Sequence, residues 1–313
     1  LDIHLAVSDV TVNVPAILVL GVAVGFLSGF FGVGGGFIMT PMLNILFGIP
    51  YSIAAGTSLG QMLGTSIFAT AKHRGLGNVD VKLGLCMLGG AWLGVEGGAR
   101  ALELLERTKP IAVAGHQVNE LDLFVPITFL VLLVSIGTVT LRESSSARKR
   151  PPRGGLVETR IAGWVRRARI SPAVSLRGSG IESISLWILL AIGLATGFLS
   201  GFLGVGGAFV LMPALIYVIG VPTSVAIGTG LFQTIFVAAF GCFSHALKQN
   251  VDPILVSLLL AGSILGAQIG APLTKKVRGA EIRYWFSLVL YAAGLAVLIK
   301  LAAQLGLFNG FRS

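Results

Sequence analysis

Charge is scarce in this chain, and cysteine is scarcer still. Only 12% of the 313 residues are Asp, Glu, Lys or Arg, about half of the roughly 25% usual in a soluble domain. With 54% hydrophobic residues and a mean hydropathy of +0.89, that shortage excludes an ordinary soluble fold. Cys86 and Cys242 are the two cysteines and lie in separate apolar stretches, which excludes a disulfide framework and any cysteine-based metal spacing. No paired His/carboxylate metal motif and no paired aspartates stand within an apolar stretch. The expectation is therefore no catalytic residue, no metal and no cofactor, with an intramembrane enzyme without transport kept as the alternative from another class. The start carries no basic n-region with a small-residue cleavage site, so the first apolar segment is expected to be a helix and not a cleaved signal.

What is abundant is apolar sequence. Segments near 14–48, 52–71, 83–99, 123–141, 184–221, 223–247, 254–274 and 284–308 mostly approach or exceed the ~20 residues needed to cross a bilayer. The expected fold is an all-α polytopic membrane protein of about eight spans plus broken or re-entrant helices. It divides into an N-terminal transmembrane repeat (1–141), a basic linker (142–183) and a C-terminal transmembrane repeat (184–313). Between Arg142 and Glu182 there are ten Arg/Lys against three Glu, including Arg148-Lys-Arg-Pro-Pro-Arg153. A basic stretch joining two hydrophobic halves reads as a cytoplasmic loop under the positive-inside rule, not as a nucleic-acid site. Within it, Ile161 to Ile170 has the makings of an interfacial helix, with Trp164 and an Arg cluster suited to anionic lipid headgroups.

The chain also repeats itself. Gly25-Phe-Leu-Ser-Gly-Phe-Phe-Gly-Val-Gly-Gly-Gly-Phe37 recurs as Gly197-Phe-Leu-Ser-Gly-Phe-Leu-Gly-Val-Gly-Gly-Ala-Phe209, so that position n answers to n + 172. The register continues through Pro41/Pro213, Gly56-Thr57/Gly228-Thr229, Gln61/Gln233, His73/His245 and Asn78-Val-Asp80/Asn250-Val-Asp252. A duplicated, glycine-interrupted apolar segment points to the binding site of a secondary transporter built from internal repeats. If each broken segment begins and ends on one side, the repeats are inverted. Lys72, Arg74, Lys275, Lys276, Arg278 and Arg283 then share the cytoplasmic face. Four plain spans per half would make the repeats parallel and put Lys275 to Arg278 outside.

Irregular backbone survives in the hydrocarbon region only where protein buries it or water lines it. The candidate site is therefore the pair of breaks: Gly32, Gly34, Gly35 and Gly36 with Ser28 before them, and Gly204, Gly206 and Gly207 with Ser200. Helices restarting at Phe37 and Phe209 would offer unpaired N–H groups to a small anion; the alternative is that the glycines only let helices pack. Thr57 and Gln61, like Thr229 and Gln233, stand four apart on one helical face and suit an oxyanion, with interhelical hydrogen bonding as the alternative. His73, His245 and Glu96 are gating or coupling candidates. Against that, a histidine is common at a membrane interface, and Arg100 at i+4 can neutralise Glu96. The zippers Gly21/25/29, Gly193/197/201, Gly90/94/98 and Gly262/266/270 read as close helix packing.

The doubled glycine block, with Gly-x-Pro, Gly-Thr-x-x-x-Gln and Asn-Val-Asp following it, resembles the sulfite exporter TauE/SafE family over nearly the whole chain outside the linker. The resemblance implies a permease of the prokaryotic inner membrane for small sulfur-containing anions such as sulfite, organosulfonates or sulfoacetate. It carries the translocation role to Gly32–Gly36, Thr57 and Gln61 with Gly204–Ala208, Thr229 and Gln233. Ala208, where the first half has Gly36, makes the half-sites unequal. An anion channel is the rival within transport, and a homodimer is the default assembly.

Overall fold

The computed structural model describes residues 2–106, 111–113, 116–118, 120–148, 157, 159–167 and 170–304. Most of the basic run 148–153 lies outside the described residues. The chain is a polytopic bundle of α-helices. A short hairpin, β1 (Asp2–Leu5) and β2 (Val10–Asn13), leads into α1 (Val14–Phe31), α2 (Gly36–Phe47), α3 (Tyr51–Gly75), α4 (Val81–Glu106) and α5 (Glu120–Arg148). Strands β3 (Ile111–Val113) and β4 (His116–Val118) form a second small hairpin. After α6 (Arg160–Arg167), a third hairpin of β5 (Ala173–Leu176) and β6 (Ile181–Ser185) leads into α7 (Leu186–Leu203) and α8 (Ala208–Ala214). A π-helical stretch (Leu215–Ile219), α9 (Thr223–Leu247), α10 (Pro253–Leu273) and α11 (Gly279–Gln304) complete the chain.

Six of these helices, α1, α5, α7, α9, α10 and α11, are long and apolar enough to cross a membrane. Helices α3 and α4 match them in length, at 25 and 26 residues, but carry more polar sequence. The eight long helices correspond to the eight apolar segments, except that two of those segments also contain a break. The bounds of α1, α2 and α3 recur, shifted by 172, in α7, in the run from α8 through the π stretch, and in α9. The hairpin β5–β6 lies largely within the stretch read as a linker and enters α7 as β1–β2 enters α1.

Local chemistry explains where the helices stop. Gly32 and Gly204 take left-handed φ of 74° and 64°, and their N–H groups bond the Ser28 and Ser200 carbonyls at 2.8 and 2.9 Å. This ends both helices in the conformation glycine adopts without steric cost. The 12 residues of α2 span about 18 Å, roughly half of a bilayer core. Helix α2 folds back, since Leu43, Ile49 and Ala54 share a buried cluster with Leu5 and Ile17 at the start of α1. The broken segment thus ends on the face where it began.

Packing crosses between the halves. The α1 zipper lies on α10: a Cβ on Gly21, Gly25 or Gly29 would strike the backbone of Leu259, Ser263 or Ala267. The α7 zipper lies on α4, with Gly193, Gly197 and Gly201 against the carbonyls of Met87, Ala91 and Val95. The zippers are backbone-to-backbone contacts of the kind small residues permit. Both pairs run parallel. Helices α3 and α9 run antiparallel: Asp252 N donates to Thr57 Oγ1 at 3.1 Å, and Asp80 N donates to Thr229 Oγ1 at 3.0 Å. Helix α10 runs beside α3 in the same sense, with Gly60 and Gly64 against Val256 and Leu260. Helix α5 lies antiparallel to α11, and Arg148 stacks over the Tyr284 ring at 4.4 Å. Lys72, Arg74, Arg148, Lys275, Lys276 and Arg278 therefore collect on one face of the bundle.

Candidate functional site

The two breaks meet in the middle of the bundle. Phe37 and Phe209, the equivalent first-turn residues after each break, stack with ring centroids 5.7 Å apart, and both are fully buried. Such stacking of two large buried rings is stronger than their area alone would give. Near the crossing of α3 and α9, where Gly241 faces Leu59 and Gly60 faces Cys242, Met62 lies between the breaks. A Cβ on Gly34, Gly36 or Gly206 would collide with its thioether. Gly34, Gly35, Gly206 and Gly207 take left-handed φ of 70°, 86°, 79° and 57°, so side chains there would suffer strain as well as collision.

A cavity of about 10 Å³ opens beside the second break, lined by Thr196, Gly206, Gly207, Ala208, Leu211, Gln233, Thr234 and Val237. That is room for roughly one water. Gln233 is 1% exposed, and its Oε1 has no hydrogen-bond partner. Gln61 is equally buried and its Oε1 is likewise without a partner, but its Nε2 donates to Thr65 Oγ1 at 2.7 Å, and Thr65 pairs with Ser263 at 2.6 Å. Ser28 Oγ is buried without a partner, and Ser200 lies against Gly207.

The remaining candidates sit elsewhere. Thr57 lies about 8 Å along α3 from Met62, and Thr229 as far along α9 from Thr234, the position equivalent to Met62; their hydroxyls accept the amides of Asp252 and Asp80. His73 is buried between two elements: Nε2 lies 2.9 Å from the Gly29 carbonyl, and Asn78 Nδ2 is 3.3 Å from Nδ1. A carbonyl only accepts and an amide NH₂ donates, so in this arrangement Nε2 serves as donor and Nδ1 as acceptor. His245 Nδ1 is buried without a partner. Glu96 pairs with Arg100 at 2.8 Å on an exposed flank of α4, beside the outward-facing Trp92 and Leu93. It is not brought to the breaks.

Sequence reasoning gave Asp80 and Asp252 no role beyond the repeat. Both are buried N-cap carboxylates at the start of α4 and α10: Asp80 Oδ1 accepts Leu83 N, and Asp252 Oδ1 accepts Ile254 N and Leu255 N. Asp252-Pro253 was the available signal, since an acidic cap before a first-turn proline marks a helix start. Asp80 Oδ2 further accepts Ser179 Oγ at 2.7 Å, tying the β5–β6 region to α4. Arg283, expected on the cytoplasmic side, is only 6% exposed and donates from Nη1 to Thr223 Oγ1. Among the described residues no group of three His, Cys, Asp or Glu could hold a metal ion.

Comparison with known proteins agrees along the chain. The sequence profile of the family described as Sulfite exporter TauE/SafE matches residues 17–297. The probable membrane transporter protein YdhB of Bacillus subtilis is 26% identical over 274 residues, covering 88% of this chain and 96% of that protein. YjnA of the same organism, also a probable membrane transporter protein, is 25% identical over 283 residues, 90% of this chain and 99% of its own. A probable membrane transporter protein of Methanocaldococcus jannaschii is 24% identical over 301 residues, covering 91% and 95%. No solved structure matches the chain.

Proposed function

Because the chain belongs to the sulfite exporter TauE/SafE family, we propose that it is a secondary transporter for small sulfur-containing anions, of the sulfite, organosulfonate or sulfoacetate type. It works in the inner membrane of a prokaryotic cell by alternating access between two inverted repeats. The observation that carries this reading is the meeting of two glycine breaks around Phe37, Phe209 and Met62. At such a break the chain has backbone donors that its own glycines do not cover with side chains. Gln233, in the cavity wall, adds a neutral side chain with NH₂ donors. A neutral donor set suits an anion that must be released again, where a buried full counter-charge would hold it. The antiparallel course of α3 and α9, and the crossed pairs α1–α10 and α4–α7, support inversion. The face that gathers Lys72, Arg74, Arg148 and Lys275 to Arg278 supports its assignment to the cytoplasm. There α6 turns Trp164 outward beside Arg160 and Arg167, as contact with anionic lipid requires. The closed centre favours alternating access over a standing pore.

The test is uptake of labelled sulfite, sulfoacetate or sulfate by proteoliposomes, with and without a proton gradient. Saturable flux of at least one sulfur anion is the expected result. Folded protein that carries none of them overturns the assignment.

A further inference from the structure

The two half-sites share a backbone but not a lining. In the first half, Val24 Cγ1 lies over Gly35, and Met62 fills the space against Gly34 and Gly36. The equivalent positions in the second half are Thr196, which has the shape of valine but carries a hydroxyl, and Thr234, which is much shorter than methionine; both border the cavity. Gln61 is tied into a hydrogen-bonded chain with Thr65 and Ser263. The positions equivalent to Thr65 and Ser263 are Val237 and Ala91, neither of which has a side-chain acceptor, so Gln233 has no counterpart of that chain. Thr196 and Thr234 turn their hydroxyl protons to the backbone, bonding the Ile192 and Gly230 carbonyls at 2.8 Å. Their remaining lone pairs and methyl groups leave Gln233 as the group best placed to donate into the cavity.

We propose that the anion is bound by one half-site only, the second, with Gln233 as its side-chain donor, while Met62 plugs the first and makes it a structural counterpart. This rests on the transport reading above, but the inequality of the halves is a property of the fold and is measurable without transport. Met62 also contacts Gly206, so it borders the working site and limits its size. Seating an anion larger than one water requires this thioether to shift, and a flexible unbranched side chain can do so.

Two measurements decide the matter. In a Cys86→Ser/Cys242→Ser background, single cysteines at Gln61→Cys and Gln233→Cys are reacted with aminoethyl methanethiosulfonate in proteoliposomes. Cys at 233 is expected to react at least ten-fold faster. Equal rates, or a faster reaction at 61, overturn the proposal whatever the substrate is. Flux of labelled sulfite is then compared for Gln61→Ala, Gln233→Ala and Thr234→Met. Gln233→Ala and Thr234→Met, the latter rebuilding the plug in the second half, are expected to lose at least ten-fold more flux than Gln61→Ala. Equal losses refute the one-sided site. If the wild type carries no sulfur anion while labelling stays lopsided, the transport assignment falls and the inequality of the halves stands. Should Gln61→Ala fail to fold, the labelling ratio decides alone.

Discussion

Replacing Thr57 with valine asks whether this hydroxyl serves the fold or the cargo. Thr57 is fully buried, Asp252 is 1% exposed, and the bond from Asp252 N to Thr57 Oγ1 is 3.1 Å. Valine keeps the shape of threonine, so packing changes little. The change leaves a buried amide without its acceptor, which costs about 1–3 kcal/mol. Thr57→Ser retains the acceptor and is expected to lose only about 1 kcal/mol, the value of one buried methyl group. Thr229→Val removes the mirror-image bond to Asp80 and carries the same expected cost. The two threonines lie roughly 20 Å apart along the α3–α9 pair, so the double variant should show the sum of the single losses within about 0.5 kcal/mol. The assay is reversible denaturant unfolding in detergent micelles, followed by helix circular dichroism. If Thr57→Val unfolds like the wild type and yet abolishes flux, the hydroxyl is a ligand group and the bracing argument is wrong.

Gly25→Ala presses a methyl group onto the Ser263 backbone and should cost about 1–3 kcal/mol or more, since backbone cannot move aside as a side chain can. Gly75→Ala, with nothing near its added carbon, should change stability by no more than about 1 kcal/mol in the same unfolding assay. Ser179→Ala removes the hydrogen bond to Asp80 Oδ2, leaving a buried carboxylate oxygen unsatisfied. About 1–3 kcal/mol of lost stability is expected, and no loss would show that the carboxylate finds another partner.

The glycine blocks were legible because they are local: a left-handed cap at Gly32 or Gly204 needs nothing from elsewhere in the chain. The same holds for the zippers, whose four-residue spacing declares a flat helix face. What those faces meet was not legible. Gly25 gives no sign that its neighbour is Ser263, and the threonine of Gly-Thr-x-x-x-Gln gives no sign that it caps an amide 195 residues away. A duplicated sequence also hides its own asymmetry. Matching Gln61 to Gln233 drew attention to what the halves share, whereas the difference lies in their neighbours, Thr65 against Val237 and Met62 against Thr234. The hairpin at 173–185 was masked by the basic stretch around it, where four-residue alternations are too short to stand out. The burial of Arg283 was not legible either, because its partner Thr223 lies 60 residues away.

The crossed pairing of α1 with α10 also sets a timetable for synthesis. Roughly 220 residues separate the end of α1 from the start of α10. At ~5–20 residues per second a ribosome needs on the order of 10–45 s to bridge that distance. Throughout that interval the glycine face of α1 stands in the bilayer without the backbone it was shaped to meet. Helix α4 waits for α7 in the same way, over a shorter stretch. Neither half can finish on its own, so a chain truncated before α10 would leave an open seam for membrane quality control to recognise, and the last third of the protein completes the first.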